Sequence, residues 1–190
     1  MFDIDQFVSD CVAARRQPDY VATIGALLNQ AVNDRAGITA AFQDMQDEEA
    51  LIYNDASLTV VHVRLSPNTA FPPHNHHMEA LIGLYEGEER HRRYLPAGDK
   101  LTAEAEFSVT TGNVAICAVP EIHAVANRCA ARSAALHVYC GDLVHMPRNI
   151  WHPETFEVVG YSDDYYFEWS HAYDPAKPFT RPAVCRAHAG

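Results

Sequence analysis

The period of the hydrophobic positions changes once along the chain, near residue 51. Before that point apolar residues recur every three to four positions: Phe7, Val8, Cys11 and Val12 form one stripe, and Val21, Ile24, Leu27, Leu28 and Val32 form another. Such stripes predict amphipathic helices. Asp3 and Gln6 have the spacing of a capping box at the start of the first helix, and Pro18 ends it. The second helix is expected to start at Asp19 and stop before Gly37, followed by a weaker helical segment over residues 39–49.

From Leu51 onward the period is two. In residues 57–65, SLTVVHVRL, Val61, Val63 and Leu65 alternate with His62 and Arg64, which puts His62 and Arg64 on an outer polar face. Strand-like runs recur over residues 78–85, 89–94, 100–109, 114–119, 133–139 and 165–170, separated by Gly, Pro, Asn and Asp. Glu86, Glu88, Glu89 and Arg90 read as a solvated hairpin turn. Trp151, Trp169, Tyr165, Tyr166 and Phe167 read as packing residues where the late chain covers the strands. Many short strands after a helical start predict a mainly β sandwich or barrel with an N-terminal helical cap. The expected organisation is one domain over residues 1–190. It comprises a helical extension (1–50), a β-barrel (51–173) and an extended tail (174–190) carrying Pro175, Pro178 and Pro182.

Charge narrows the range of partners. The 190 residues include 25 Asp plus Glu against 14 Lys plus Arg, a net charge of −11. That balance repels phosphate backbones and anionic lipid surfaces, so neither nucleic acid nor membrane is expected as a partner. No run approaches the ~18 consecutive apolar residues of a membrane span. Residues 1–10 carry Asp3, Asp5 and Asp10 and lack the apolar stretch of a secretory signal. The cysteines, Cys11, Cys117, Cys129, Cys140 and Cys185, are odd in number and form no C-x-x-C pair. They read as small hydrophobes in a reducing, cytoplasmic setting.

Histidine is over-represented, with 11 residues. In Phe71-Pro72-Pro73-His74-Asn75-His76-His77-Met78-Glu79, His74 and His76 stand two apart, so an extended backbone turns both to one face and His77 away. A third candidate, His123, follows a Gly112 turn, a hydrophobic strand and Pro120. Three imidazoles on converging strands leave open positions on a metal, as in catalytic rather than closed structural sites. His77, His91, His145, His152, His171 and His188 read as structural or solvated.

With these motifs the chain resembles the cupin superfamily. His74-x-His76 with Gly87 matches the first cupin motif, and Gly112, Pro120 and His123-x-x-x-Asn127 match the second. The resemblance implies a double-stranded β-helix, or jelly-roll barrel, with His74, His76 and His123 as metal ligands. Glu79 lies only three residues after His76, and Leu81 stands at the later position where many cupins place an acid. A three-His site is the simpler reading.

Leu136-His137-Val138-Tyr139-Cys140-Gly141-Asp142 is similar to the relay segment of the thiol dioxygenases, which are three-His iron(II) cupins. His137 and Tyr139 match the relay His and Tyr, whereas Ala135 replaces its Ser, and no crosslinking Cys lies near Leu81. Arg148 stands where one branch of that family binds the substrate carboxylate, with Arg64 as second choice. The resemblance implies an iron(II) dioxygenase converting a small thiol carboxylate and O₂ to a sulfinate. Imidazole ligands also suit zinc, nickel, manganese and copper. Two other readings stay open: a three-His cupin cleaving a C–C bond in a diketone or aromatic substrate, and a non-catalytic metal- or ligand-binding cupin. Edge strands admit a homodimer, which no residue pattern decides.

Overall fold

A computed structural model describes residues 1–98 and 100–179. Three helices come first: α1 (Ile4–Ala14), α2 (Tyr20–Asn33) and α3 (Arg35–Phe42). Asp3 caps α1 by accepting from the Gln6 amide at 2.9 Å, but the Gln6 side chain turns away to Asp10, so the reciprocal half of the box is absent. The third helix begins earlier than the 39–49 expected from the sequence, and Gly37 lies inside it rather than after a helix end. A methyl on Gly37 would stand 2.6 Å from the Phe2 nitrogen and 2.5 Å from Asp34 Oδ2, so this glycine serves close approach, not termination.

The strands that follow are β1 (Glu49–Asn54), β2 (Thr59–Val63), β3 (Thr69–Ala70), β4 (His74–Asn75), β5 (Ala80–Glu86), β6 (Glu88–Ala97), β7 (Lys100–Thr110), β8 (Val114–Cys117), β9 (Ile122–Asn127) and β10 (Ala134–Tyr139). The chain then forms β11 (Asn149–Trp151), β12 (Val158–Gly160), a short helix α4 (Asp163–Glu168) and β13 (His171–Ala172). They build two antiparallel sheets. One runs β1-β2-β10-β5-β8, and the other runs β12-β11-β4-β9-β3-β13, with β6 joining β9 and carrying β7. Strands adjacent in a sheet are mostly distant in sequence, which is the double-stranded β-helix arrangement expected. Among the described residues no helix is long and apolar enough to cross a membrane.

Both faces of the first sheet are covered. Val61, Val63, Ala80, Ile82, Leu84, Ala135 and Tyr139 face the barrel interior, while Val60, Leu81, Leu136 and Val138 pack against α1–α3. His62 is therefore not on a solvated face. It is fully buried, stacked on Phe42 at 4.3 Å between centroids, with Nε2 2.7 Å from the Tyr85 hydroxyl. Arg64 bonds the Met45 carbonyl and Gln46 outside the barrel.

Two other expectations are corrected. Residues 165–170 lie in and just after α4, not in a strand: Ser162 caps this helix by accepting from the Tyr165 amide, and its aromatic run had imitated β propensity. Tyr166 and Trp169 pack inward as expected, but Tyr165 and Phe167 are exposed. The segment 86–90 turns only at Gly87 (φ +86°), and Glu88, Glu89 and Arg90 already belong to β6. Of the tail, Phe179 is buried against the outer side of the second sheet, while Pro182, Cys185 and His188 lie outside the described residues. Cys11, Cys117, Cys129 and Cys140 are free thiols, and all but Cys129 are buried.

Candidate metal centre

The barrel interior converges on three imidazoles. His74 and His123 are directly paired across β4 and β9, so the antiparallel register sets them side by side. His76 follows β4 by one residue and turns to the same side. His77, at φ +55°, reverses the chain and faces solvent. Ring centroids of the triad are 4.7 Å (His74–His123), 5.0 Å (His74–His76) and 5.0 Å (His76–His123) apart. One nitrogen from each lies within 4.8 Å of the others. All are buried, and burial is the main reason their pKa values fall, His74 to about 4 and His76 and His123 well below the usual 6.5. Neutral imidazoles present lone pairs, the form a metal ion needs.

Two observations fit the triad to a metal. His123 Nε2 is buried with no hydrogen-bond partner, a cost that coordination would remove. His74 Nδ1 lies 3.0 Å from the Pro72 carbonyl, so Nδ1 carries the proton and Nε2 is left as the ligand. A second group, Cys117, Glu121 and His123, also brings ligand atoms within 4.8 Å. It suits a cation less well, because Glu121 already sits 3.0 Å from Arg93 Nε and burial pushes the Cys117 thiol far up. Glu79 is in neither group.

One cavity of about 550 Å³, including its open mouth, contains the triad together with Tyr139, His137 and Arg148. The Tyr139 hydroxyl lies 3.0 Å from His137 Nδ1, and its ring is 5.0 Å from that of His76. Burial, with the nearby Glu49 charge, drives the Tyr139 pKa well above 10, so the phenol keeps its proton. His137 falls to about 4, chiefly through burial, although Glu89 opposes the shift. Arg148 lies at the mouth, its guanidinium 3.8 Å over the Tyr161 ring. It makes no ion pair within 4.0 Å among the described residues. Glu49 shares that mouth, and desolvation followed by repulsion from Asp163 raises it to about 7. Arg64, the second choice for a carboxylate, does not reach the cavity.

Several cavity groups escaped sequence reading. Tyr166 of α4 stacks on Phe71 and sets its edge against His74. Glu89, expected to be solvated, and His91, expected to be structural or solvated, are fully buried and line the cavity. The run Glu-Glu-Arg-His-Arg-Arg hides them among charges; the usable signal was their i, i+2 spacing, the same as that of His74 and His76.

No protein-family model matches the chain, and no curated protein matches it. Among solved structures it is similar to a mutant of Bacillus subtilis oxalate decarboxylase, at 18% identity over 49% of this chain and 23% of that one, with a TM-score of 0.41. An 11S globulin from Wrightia tinctoria matches at 15% identity over 45% of this chain and 21% of that one (TM-score 0.39). A conserved double-stranded β-helix protein from Klebsiella pneumoniae matches at 15% identity, over 55% of this chain and 80% of that one (TM-score 0.44). The chain thus spans under a quarter of the decarboxylase and of the globulin.

Proposed function

We propose that the protein is a metal-dependent dioxygenase of the thiol dioxygenase type, with His74, His76 and His123 holding iron(II), and a small thiol carboxylate and O₂ as substrates. The observation that carries this reading is the meeting, in one cavity, of a buried imidazole triad, a protonated Tyr139 beside His76 and, at the mouth, Arg148 lying against Tyr161 and near Glu49. When bound, the metal would supply open positions for a thiolate and for O₂ and would lower the barrier between them. The net reaction is RSH + O₂ → RSO₂H: sulfur gives up four electrons, O₂ accepts them, and both oxygen atoms end on sulfur.

The chain's own residues do the rest. Arg148 supplies the local cation that a carboxylate requires inside a protein of net charge −11, and its planar fork suits bidentate contact. Tyr139, oriented by His137, holds a hydroxyl toward the reacting sulfur. Val61, Val63, Ile82 and Val125 wall the cavity and limit water around the reacting atoms.

Iron-loaded protein should consume O₂ in the presence of a mercapto-carboxylate and release the sulfinate, seen by oxygen electrode and mass spectrometry. Absence of thiol-dependent uptake across a panel of such substrates sinks the proposal. A second reading, C–C cleavage of a diketone or aromatic substrate, draws support from Ala135, fully buried where the relay Ser would stand, and from the apolar walls. Depletion of such a substrate without sulfinate formation would select it.

A further inference from the structure

Beside the triad lies a row of fully buried polar groups to which the proposed reaction gives no part. His91 Nδ1 is 3.3 Å from His123 Nδ1. The rings are nearly parallel, at 18°, with centroids 5.5 Å apart, a separation that exceeds the nitrogen–nitrogen distance by about two ring radii. The imidazoles therefore meet edge to edge, so that one lone pair points at the other ring's N–H. On its far side His91 Nε2 stands 3.6 Å from Glu89 Oε2, an electrostatic contact longer than a hydrogen bond, and both atoms are buried with no hydrogen-bond partner. The other oxygen, Glu89 Oε1, accepts from the Ser133 hydroxyl at 2.6 Å. Glu89, His91 and Ser133 are all fully buried, and Phe107 stacks on His91 at 5.1 Å.

A carboxylate sealed in a barrel core is costly unless donors face it. Burial raises the Glu89 pKa, but the facing His91 Nε2, with the Ser133 hydroxyl assisting, leaves it below the usual carboxylate value. An ionised Glu89 accepts hydrogen bonds and donates none. The proton of His91 thus belongs on Nε2, facing Glu89, and, with the single proton of an imidazole that accepts from His123, its lone pair lies on Nδ1. That lone pair can face His123 Nδ1 only if His123 carries its proton there, which leaves His123 Nε2 bare. His123 Nε2, the nitrogen turned away from His91 and Cys117, is buried and unpartnered. Cys117 Sγ, 3.9 Å from His123 Nδ1, is the competing acceptor, but it is farther away and weaker than an imidazole nitrogen.

We propose that Glu89 and His91 are positioning residues that lock His123 in the Nδ1–H tautomer and hold its Nε2 ready for the metal. The proposal rests on the metal reading of His123. On this arrangement two ligands are set by different partners: His74 by the backbone carbonyl of Pro72, and His123 by a carboxylate acting through an intervening imidazole. Partners of this kind typically change metal affinity by about 10–100-fold.

Metal-free protein with ¹⁵N-labelled histidine tests the assignment without any variant. Long-range ¹H–¹⁵N correlation is expected to show His123 as the Nδ1–H tautomer and His91 as Nε2–H; His123 found as Nε2–H overturns the proposal. Cobalt(II) titration against a competing chelator gives a second readout. His91→Phe keeps the stack on Phe107 but removes the acceptor, so cobalt affinity should fall by about 10–100-fold. His91→Asn, whose amide oxygen takes the place of Nδ1, should recover much of that loss. Equal cobalt affinity in wild type and His91→Phe overturns the positioning role alone. Full cobalt stoichiometry in His76→Ala would instead overturn the triad, and this proposal with it.

Discussion

Tyr139 and Arg148 are close enough to the triad to take part in chemistry, yet neither is a ligand candidate, so their effects should separate cleanly from metal loading. Tyr139→Phe is expected to lower kcat by about 10²-fold, the lower range for a lost positioned proton donor, with metal content unchanged by elemental analysis. Arg148→Ala should instead raise KM for a thiol carboxylate by about 10–100-fold, as loss of one charge-assisted contact of about 1.5–3 kcal/mol implies. An uncharged thiol of similar size should show little change, and equal losses for both substrates would remove Arg148 from carboxylate binding. His74, His76 and His123 were legible as candidates because strand alternation and motif spacing mark them, whereas His137, Tyr139 and Arg148 were candidates only through a family resemblance. Glu89 and His91 were not, since a buried acid beside a histidine looks, in sequence, like any charged turn.

Among the elements, the helices decide more than their distance from the cavity suggests. By covering the outer face of the first sheet they turn β2, β5 and β10 into strands buried on both sides. Gly83 records how close this packing is: a methyl there would come 2.7 Å from Leu28 Cγ and 2.8 Å from Val32 Cγ1 of α2. Gly83→Ala should therefore cost about 1–3 kcal/mol of stability through overpacking, measured by urea unfolding. An unchanged midpoint would mean that α2 can move away from the sheet without penalty. Alternation along β2 correctly separated Val61 and Val63 from His62, but alternation says only that two faces differ. Whether the second face meets water or a helix depends on segments tens of residues away. The aromatic run of α4 failed for a related reason: β propensity is largely a preference for half-buried surfaces, and a capped helix turn offers one as well.

Across the whole molecule, burying several neutral histidines ties stability to pH. In the metal-free protein His62, His74 and His137 are depressed from 6.5 to about 4, each chiefly by burial. The unfolded chain binds protons at these sites as pH drops below 6.5, while the folded chain does not until about 4. Their stabilising contribution is thus complete above 6.5 and is lost as pH falls through that window, by up to about 1.4 kcal/mol per pH unit for each group. His62 is remote from the triad, so His62→Gln should flatten the pH dependence of unfolding free energy by about one proton without altering metal binding. An identical slope in wild type and variant would contradict the burial of a neutral His62.

The local pattern alone determined the helical start, most of the strands, the pairing of His74 with His76 and the relevance of His123, because each depends on spacing within a short stretch or on a turn residue beside it. The tertiary structure decided which faces are covered, and therefore the burial of His62, the place of Arg64 outside the cavity and the burial of Glu89 with His91 beside His123. Period-two alternation separates the two sides of a strand, but the environment on each side comes from other segments. Solvation, which sets protonation, tautomer and the cost of a buried charge, becomes readable only once those segments are in place.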